Sequence, residues 1–145
     1  MRKKIFNILL FIIALVAVGC TKDGSGAPKA FKNQTDICLM SDGNVIMSYD
    51  VARCQLSFNR KRGMFRVGND DMSEYFMLRA EEGSGFELVE GMTFIGNLTY
   101  CTGGKVTEVP GQTWEIISFL TDDYGTKVHL WCNDKKIGAV MYAVK

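Results

Sequence analysis

The last quarter of the chain constrains the fold most strongly, because it is typical of three consecutive β-strands with apolar residues on both faces. Trp114, Ile116 and Leu120 recur at even positions of the first segment, and Val128 and Leu130 do so in the second. A period of two indicates strands, so we expect these five side chains to share an interior face. The other face is also partly apolar, which predicts a sheet covered on both sides, as in a barrel or a sandwich. Turns at DDYGT and DKK separate the predicted strands, 112–121, 126–133 and 136–144.

The preceding part of the chain favours short strands joined by tight turns. Glycines recur at short intervals, and the runs between them are rich in Val, Ile, Phe, Tyr and Thr. The segment 71–82 contains good helix formers, but its alternating apolar residues favour a strand. We expect a bulge at Gly96 and a turn at Pro110-Gly111. The predicted fold is all-β: a small antiparallel β-barrel or β-sandwich of about 8–10 strands with a C-terminal three-strand meander, preceded by a helical signal peptide and a flexible linker.

The N-terminus is typical of a secretory signal. Basic residues at 2–4 precede an apolar run that begins at Ile5, and this run is shorter than the roughly 20 apolar residues that a membrane span needs. The run ends in Ala17-Val18-Gly19-Cys20, which resembles the lipobox of bacterial lipoproteins. The resemblance implies that the Cys20 thiol receives a diacylglycerol and that a peptidase cuts the chain before Cys20. The alternative is a transmembrane anchor that happens to end in cysteine.

The chain is predicted to have three parts. Residues 1–19 are the signal peptide, residues 20–34 are the lipidated cysteine and a flexible tether, and residues 35–145 are a single all-β domain. The tether is inferred from TKDGSGAPKA, which has no hydrophobic periodicity. The predicted location is the bacterial cell envelope, at the outer membrane or the periplasmic face of a membrane, with the lipid at Cys20 as the anchor.

Four cysteines remain in the mature chain when Cys20 is lipidated: Cys38, Cys54, Cys101 and Cys132. An even number of cysteines in an exported chain predicts disulfides, and four cysteines allow three connectivities. We favour Cys38–Cys54 with Cys101–Cys132, because this connectivity closes the shorter loops. The absence of a CxxC motif argues against a thioredoxin-like redox pair and a zinc ribbon.

Charge and residue content narrow the classes of function. Removing the three basic residues of the signal from 17 leaves 14, against 16 acidic residues, so no basic surface for nucleic acid is expected. The single histidine, His129, is predicted to be a surface or half-buried residue. The sequence contains no GxSxG motif, whose serine a catalytic histidine would activate. Asp122-Asp123 is predicted to be a turn. We therefore predict no catalytic residues, no metal site and no cofactor.

The predicted function is a non-enzymatic binding or structural role at the envelope. The ligand would be a protein, a glycan or a small molecule that the sequence does not identify. One alternative is an envelope hydrolase with an unfamiliar site. A second alternative is a periplasmic inhibitor of a cell-wall lytic enzyme, because Cys38-Leu-Met-Ser-Asp-Gly-Asn-Val-Ile-Met-Ser-Tyr49 resembles the opening of lipoprotein inhibitors of lysozyme, which are small disulfide-bonded β-barrels. This second resemblance covers about a dozen residues.

Overall fold

The computed structural model describes residues 26–144. The predicted signal peptide, Cys20 and residues 21–25 of the predicted tether lie outside the described residues. Within them the chain is nearly all-β, as predicted, and the segment 71–82 contains a strand. The elements in chain order are a short helix α1 (Lys29–Lys32) and the strands β1 (Ile37–Ser41), β2 (Asn44–Tyr49), β3 (Gln55–Asn59), β4 (Met64–Gly68), β5 (Tyr75–Ala80), β6 (Thr93–Thr102), β7 (Lys105–Thr121), β8 (Gly125–Cys132) and β9 (Ile137–Val144).

The nine strands of the described chain form a single antiparallel sheet that curls into a half-barrel. Their order is β2-β1-β9-β8-β7-β6-β5-β4-β3, so β7, β8 and β9 form the predicted C-terminal meander. The edge strands β2 and β3 are joined by one 3₁₀ turn, Val51–Arg53. Strands β3 and β4 approach β9 across the interior, with Cα atoms within 8 Å. The small, fully buried Ala139 lies on the inner face of β9.

The sheet is covered by apolar side chains on its concave face and, over β1 and β7–β9, also on its convex face, as the apolar pattern of the C-terminal strands predicts. Its concave face encloses the main core, whose largest fully buried side chain is Trp114. Its convex face carries a second cluster, in which Phe31 of α1 packs with Ile117, Trp131 and Val140. The covering of the convex face therefore comes from a segment that precedes the first strand.

A bulge in β7 reverses which residues face the core. Ile116 lies opposite Leu130, but Ser118 lies opposite His129, so Ile117 is an additional residue without a partner on β8. Leu120 consequently turns outward and is 45% exposed. The prediction that Leu120 shares the interior face with Trp114 and Ile116 is therefore wrong, whereas those two residues do lie in the core.

A second bulge replaces the turn predicted at Pro110-Gly111, and β7 runs through it. Gly96 of β6 lies opposite Gln112 and Leu98 lies opposite Val109, so the additional residue belongs to β7. Gly111 adopts a positive φ of 62° and donates its backbone N–H to the Asn97 side-chain oxygen at 2.7 Å. The sequence locates the irregularity correctly at Gly96 but assigns the additional residue to the wrong strand.

Residues 26–36, which we call the strap, lie along the outer face of β8. Gly26 lies against the Asn133 side chain, and the ring of Phe31 contacts the ring of Trp131 at a centroid distance of 5.6 Å. Further along, the backbone oxygen of Gln34 contacts His129, and that of Thr35 contacts Lys127. The strap contacts every second residue along β8 and just beyond its end (Lys127, His129, Trp131, Asn133), as expected for one face of a strand.

The strap corrects the predicted extent of the flexible tether, 20–34. Phe31 is fully buried, and a Cβ atom added at Gly138 would lie 2.5 Å from its ring. Gly138 thus leaves the space that the Phe31 ring fills. Burial of an aromatic ring stabilises the packing of this segment on the sheet by roughly 2–3 kcal/mol. The local composition does not show that Phe31 is buried. The ordered contacts of the domain therefore begin before residue 35.

Candidate functional site

A pocket of about 600 Å³ lies at one end of the half-barrel, and we call it the end pocket. The segment leading into β1, the connection between β2 and β3, the β7–β8 turn and the C-terminal end of β9 meet there. Its apolar wall comes from residues far apart in the sequence, and its polar residues are three tyrosines, three aspartates and one lysine. The apolar wall includes Ile37, Val51, Leu56 and Val144.

Tyr142 and Asp122 form the best-defined polar pair of the end pocket. The Tyr142 hydroxyl donates to Asp122 Oδ1 at 2.6 Å, and the same oxygen accepts the backbone N–H groups of Tyr124 and Gly125 at 2.8 and 3.0 Å. These hydrogen bonds, led by that from Tyr142, lower the pKa of Asp122. Burial and the adjacent carboxylate raise the pKa of Tyr142 to about 12. The pair therefore consists of an ionised carboxylate and a neutral phenol at neutral pH.

The lysine of the end pocket is already engaged by the strap. The Lys127 ammonium group donates a hydrogen bond to the backbone oxygen of Thr35, which precedes Asp36 of the pocket. Asp50 directly precedes the 3₁₀ turn Val51–Arg53 and caps it by accepting the backbone N–H of Ala52 at 3.0 Å. Asp50 therefore has a local structural role, as Asp122 does in the β7–β8 turn.

Tyr49 contributes a polar group that has no partner. Its ring stacks on Phe76 with centroids 6.2 Å apart, and its hydroxyl oxygen is buried without a hydrogen bond to any described residue. Burial, followed by the nearby Glu74 carboxylate, raises the pKa of Tyr49. A buried hydroxyl without a partner costs free energy, and such groups in binding sites are commonly satisfied by water or by a ligand.

Tyr124 is the most exposed large side chain at the end pocket. It lies in the turn between β7 and β8 and is 74% exposed, although it is aromatic. The Asp122 side chain fixes the backbone of this turn by accepting the Tyr124 N–H. A rigid turn therefore presents an uncovered aromatic ring at the mouth of the pocket.

The four cysteines of the domain are free thiols, which contradicts the predicted pairs Cys38–Cys54 and Cys101–Cys132. Cys38 belongs to the outer cluster, whereas Cys54 packs against the core inside the half-barrel. Cys101 of β6 lies opposite Val106 of β7, whereas Trp131, which precedes Cys132 on β8, lies opposite Glu115 of β7. The two cysteines are therefore separated by the width of β7 and by several residues along it, and a disulfide needs Cα atoms within about 7 Å. Sheet topology thus excludes the connectivity that loop length favours.

Burial makes the thiols of Cys38, Cys54 and Cys132 less reactive. It raises the pKa of Cys38 to about 11, with a smaller contribution from the Asp36 carboxylate. Burial is also the main cause of the raised pKa of Cys54 and Cys132. Because the thiolate is the reactive form, these residues have the properties of small apolar core residues and not of nucleophiles.

His129 is buried, whereas the sequence predicts a surface or half-buried position. It is 1% exposed, lies under the strap, and its Nε2 atom is 2.7 Å from the backbone oxygen of Gln34. Its Nδ1 atom is buried and has no partner among the described residues. Burial lowers the pKa of His129, with the hydrogen bond to Gln34 opposing this effect. His129 does not line the end pocket.

A second, larger pocket of about 940 Å³ lies at the β3–β4 turn and the loop after β5. Its lining mixes three basic side chains, Lys61, Arg62 and Arg79, with the acidic Glu81 and Glu82. Because its charges are mixed and little of its lining is apolar, this pocket does not indicate one chemical class of ligand. The end pocket, with its apolar wall and aromatic residues, is therefore the better candidate site.

Between residues 26 and 144, no three His, Cys, Asp or Glu side chains are grouped so that they could hold a metal ion. None of the helical segments in this range has the length and hydrophobicity needed to span a bilayer. No protein-family model, curated protein or solved structure matches the chain.

Sequence reasoning missed the end pocket because its residues are contributed by segments spread over the whole domain. The Asp122-Asp123 pair is correctly predicted as a turn, but nothing in the local pattern shows that Tyr142 would bind Asp122. The exposed aromatic residue directly after two aspartates, Tyr124, is the one signal that could have indicated a binding surface.

Proposed function

We propose that this protein is a lipid-anchored lipoprotein of the bacterial envelope that binds a ligand in the end pocket and has no enzymatic activity. The pocket is the observation that carries the binding role. Its volume of about 600 Å³ is in the range of small-molecule sites. Its combination of an apolar wall with a few polar groups is also typical of such sites. The lipobox-like residues that end in Cys20 support the anchor.

The strap gives the anchored protein a defined orientation. Gly26 lies beside Asn133, at the end of the β8–β9 ladder where Cys132 pairs with Ile137. The end pocket lies at the other end of this ladder, and the eight residues of β8 span roughly 27 Å. Cys20 precedes Gly26 by six residues, which can span at most about 22 Å. The lipid thus holds the Asn133 end near the membrane, and the end pocket opens away from it.

The anchor is tested by comparing Cys20→Ser with Cys54→Ser, which changes a cysteine of the domain instead. The Cys20→Ser chain should accumulate as an unprocessed precursor and incorporate no labelled fatty acid. The Cys54→Ser chain should be labelled and recovered with membranes. If Cys20→Ser is still cut and is released, residues 17–19 form an ordinary cleavage site.

The orientation is tested by energy transfer from a dye on the protein to an acceptor on lipid headgroups. Lys135→Cys and Tyr124→Cys place a dye at the two ends of the β8–β9 ladder, and Cys54→Ser removes the only partly exposed thiol of the domain. Transfer should be stronger from position 135 than from position 124. Equal transfer would contradict the orientation.

The binding role is tested with a variant that fills the end pocket. Leu56→Trp adds a large side chain to the apolar wall, and the control Leu120→Trp adds the same side chain on the exposed face of β7. Native mass spectrometry of protein purified from envelopes should detect a small molecule retained by the wild type and by Leu120→Trp but not by Leu56→Trp. Equal retention by all three would place the ligand elsewhere.

A further inference from the structure

We propose that the end pocket selects a small organic cation with an apolar body, such as an amphipathic amine. This inference rests on the proposed binding role of the pocket and adds the chemical class of the ligand. Three observations carry it: the balance of charges in the lining, the placement of the aromatic rings and the apolar wall behind them.

The charges of the lining favour a cation. Asp36, Asp50 and Asp122 line the pocket together with one basic residue, Lys127. The Lys127 ammonium group is held by the backbone oxygen of Thr35, so part of its hydrogen-bonding capacity is already used by the strap. A concave surface with an excess of one charge raises the local concentration of ligands of the opposite charge. An anionic ligand would meet three carboxylates and a single ammonium group.

The carboxylate best placed to remain ionised is Asp122. It accepts hydrogen bonds from the Tyr142 hydroxyl and from two backbone N–H groups, all of which stabilise its charge. Its Oδ1 atom receives all three hydrogen bonds. An ammonium group of a ligand can donate to the other carboxylate oxygen without displacing them. The turn that presents Asp122 is therefore built before a ligand binds.

The aromatic residues complement a cation and its apolar body. Tyr124 exposes its ring at the mouth, and cations bind to the faces of exposed aromatic rings. Tyr49 also lines the pocket, and its hydroxyl oxygen has no partner among the described residues. Leu56, Ile37 and Val144 provide apolar surface for the rest of the ligand.

The experiment uses three probes that share a naphthalene body and differ in charge: 1-naphthylmethylamine, 1-naphthalenemethanol and 1-naphthaleneacetic acid. The full chain is placed in nanodiscs of zwitterionic phospholipid, and empty nanodiscs give the background for equilibrium dialysis. The Kd of the amine should be at least ten-fold lower than that of the acid, with the alcohol between them. Raising the salt concentration should weaken binding of the amine and leave binding of the alcohol unchanged.

Variants identify the source of the selectivity. Asp50→Asn with Asp122→Asn keeps an acceptor oxygen at both positions, so the cap and the turn are preserved, but removes two charges. This variant should raise the Kd of the amine at least five-fold without changing that of the alcohol. Asp134→Asn, which removes one charge at the opposite end of the β8–β9 ladder, should leave both values unchanged.

The outcomes separate the two proposals. Equal affinity for the amine and the acid would overturn the cation selectivity and leave the binding role in place. Failure of all three probes to bind above the empty-disc background would overturn both. Chemical shifts of Tyr124 and Tyr142 in the wild type provide a readout that does not depend on the folding of any variant. If these shifts do not change when the amine binds, the amine occupies another site.

Discussion

His129 and Gln34 are joined by a hydrogen bond of 2.7 Å between the ring Nε2 atom and the backbone oxygen, and this bond ties the strap to the convex face of the sheet. A carbonyl oxygen can only accept, so the ring carries its proton at Nε2 and donates it. The Nδ1 atom is then unprotonated, buried and without a partner in the described chain. Protonation of Nδ1 would place an unpaired N–H and a positive charge under the strap.

The first prediction concerns pH. Because burial lowers the pKa of His129, the folded protein binds a proton at this residue less readily than the unfolded chain, whose pKa is about 6.5. Stability contributed by the neutral ring is thus fully present above pH about 6.5 and declines as the pH falls through and below it. Urea melts between pH 8 and pH 5 should show this decline in the wild type.

The control for the pH prediction is His129→Phe, which keeps an aromatic ring against Phe31 and cannot be protonated. Its free energy of unfolding should vary less over the same pH range, since most carboxylates titrate at lower pH. An equal decline in both proteins would show that another group causes the pH dependence.

The second prediction concerns Phe31, the buried residue of the strap. Phe31→Ala should lower the free energy of unfolding by about 3–5 kcal/mol, as large-to-small changes of buried aromatic residues do. Lys29→Ala in the same helix is the control and should change it by less than about 0.5 kcal/mol. Denaturant melts followed by tryptophan fluorescence measure both, because Trp131 contacts the Phe31 ring.

A second substitution checks the same contact from the sheet. Gly138→Ala adds a methyl group that would overlap the Phe31 ring, so it should destabilise the wild type by about 1–3 kcal/mol. In the Phe31→Ala background the same substitution should cost much less, because the ring is absent. Additive effects of the two substitutions would contradict the contact.

The C-terminal strands and the turns between them follow from the sequence much better than the contacts between distant segments. The alternation in β7, β8 and β9 predicts the C-terminal meander, because period and turn residues are local properties. The strap is not predictable in this way. Phe31 lies in a stretch rich in Gly, Lys and Ser, and its burial depends on Gly138, which is far away in the sequence.

The disulfide prediction failed, and the end pocket was missed, for the same physical reason. Loop length favours the pair Cys101–Cys132, but the strand between them keeps the two thiols apart. The Asp122–Tyr142 pair forms because the β7–β8 turn lies beside the C-terminal half of β9. Both outcomes depend on sheet order, which the local pattern of residues does not contain.

The third prediction concerns the thiols. Thiol titration of the Cys20→Ser chain, denatured without reductant, should detect four free thiols per chain, because all four cysteines of the domain are unpaired. In the native protein the reaction should be slow and should begin at Cys54, the least buried of the four. Detection of no free thiol after denaturation would show that the cysteines pair in the cell.

The last prediction concerns the bulge at Ile117, which decides which face of β7 is buried. Leu130 of β8 is fully buried opposite Ile116, whereas Leu120, three residues after the bulge, is 45% exposed. Leu130→Ala should therefore lower the free energy of unfolding by about 2–5 kcal/mol, and Leu120→Ala should lower it by less than about 1 kcal/mol. The two variants remove the same atoms, so urea melts compare the two positions directly. If Leu120→Ala destabilises as much as Leu130→Ala, the strand alternates without a bulge and Leu120 faces the core.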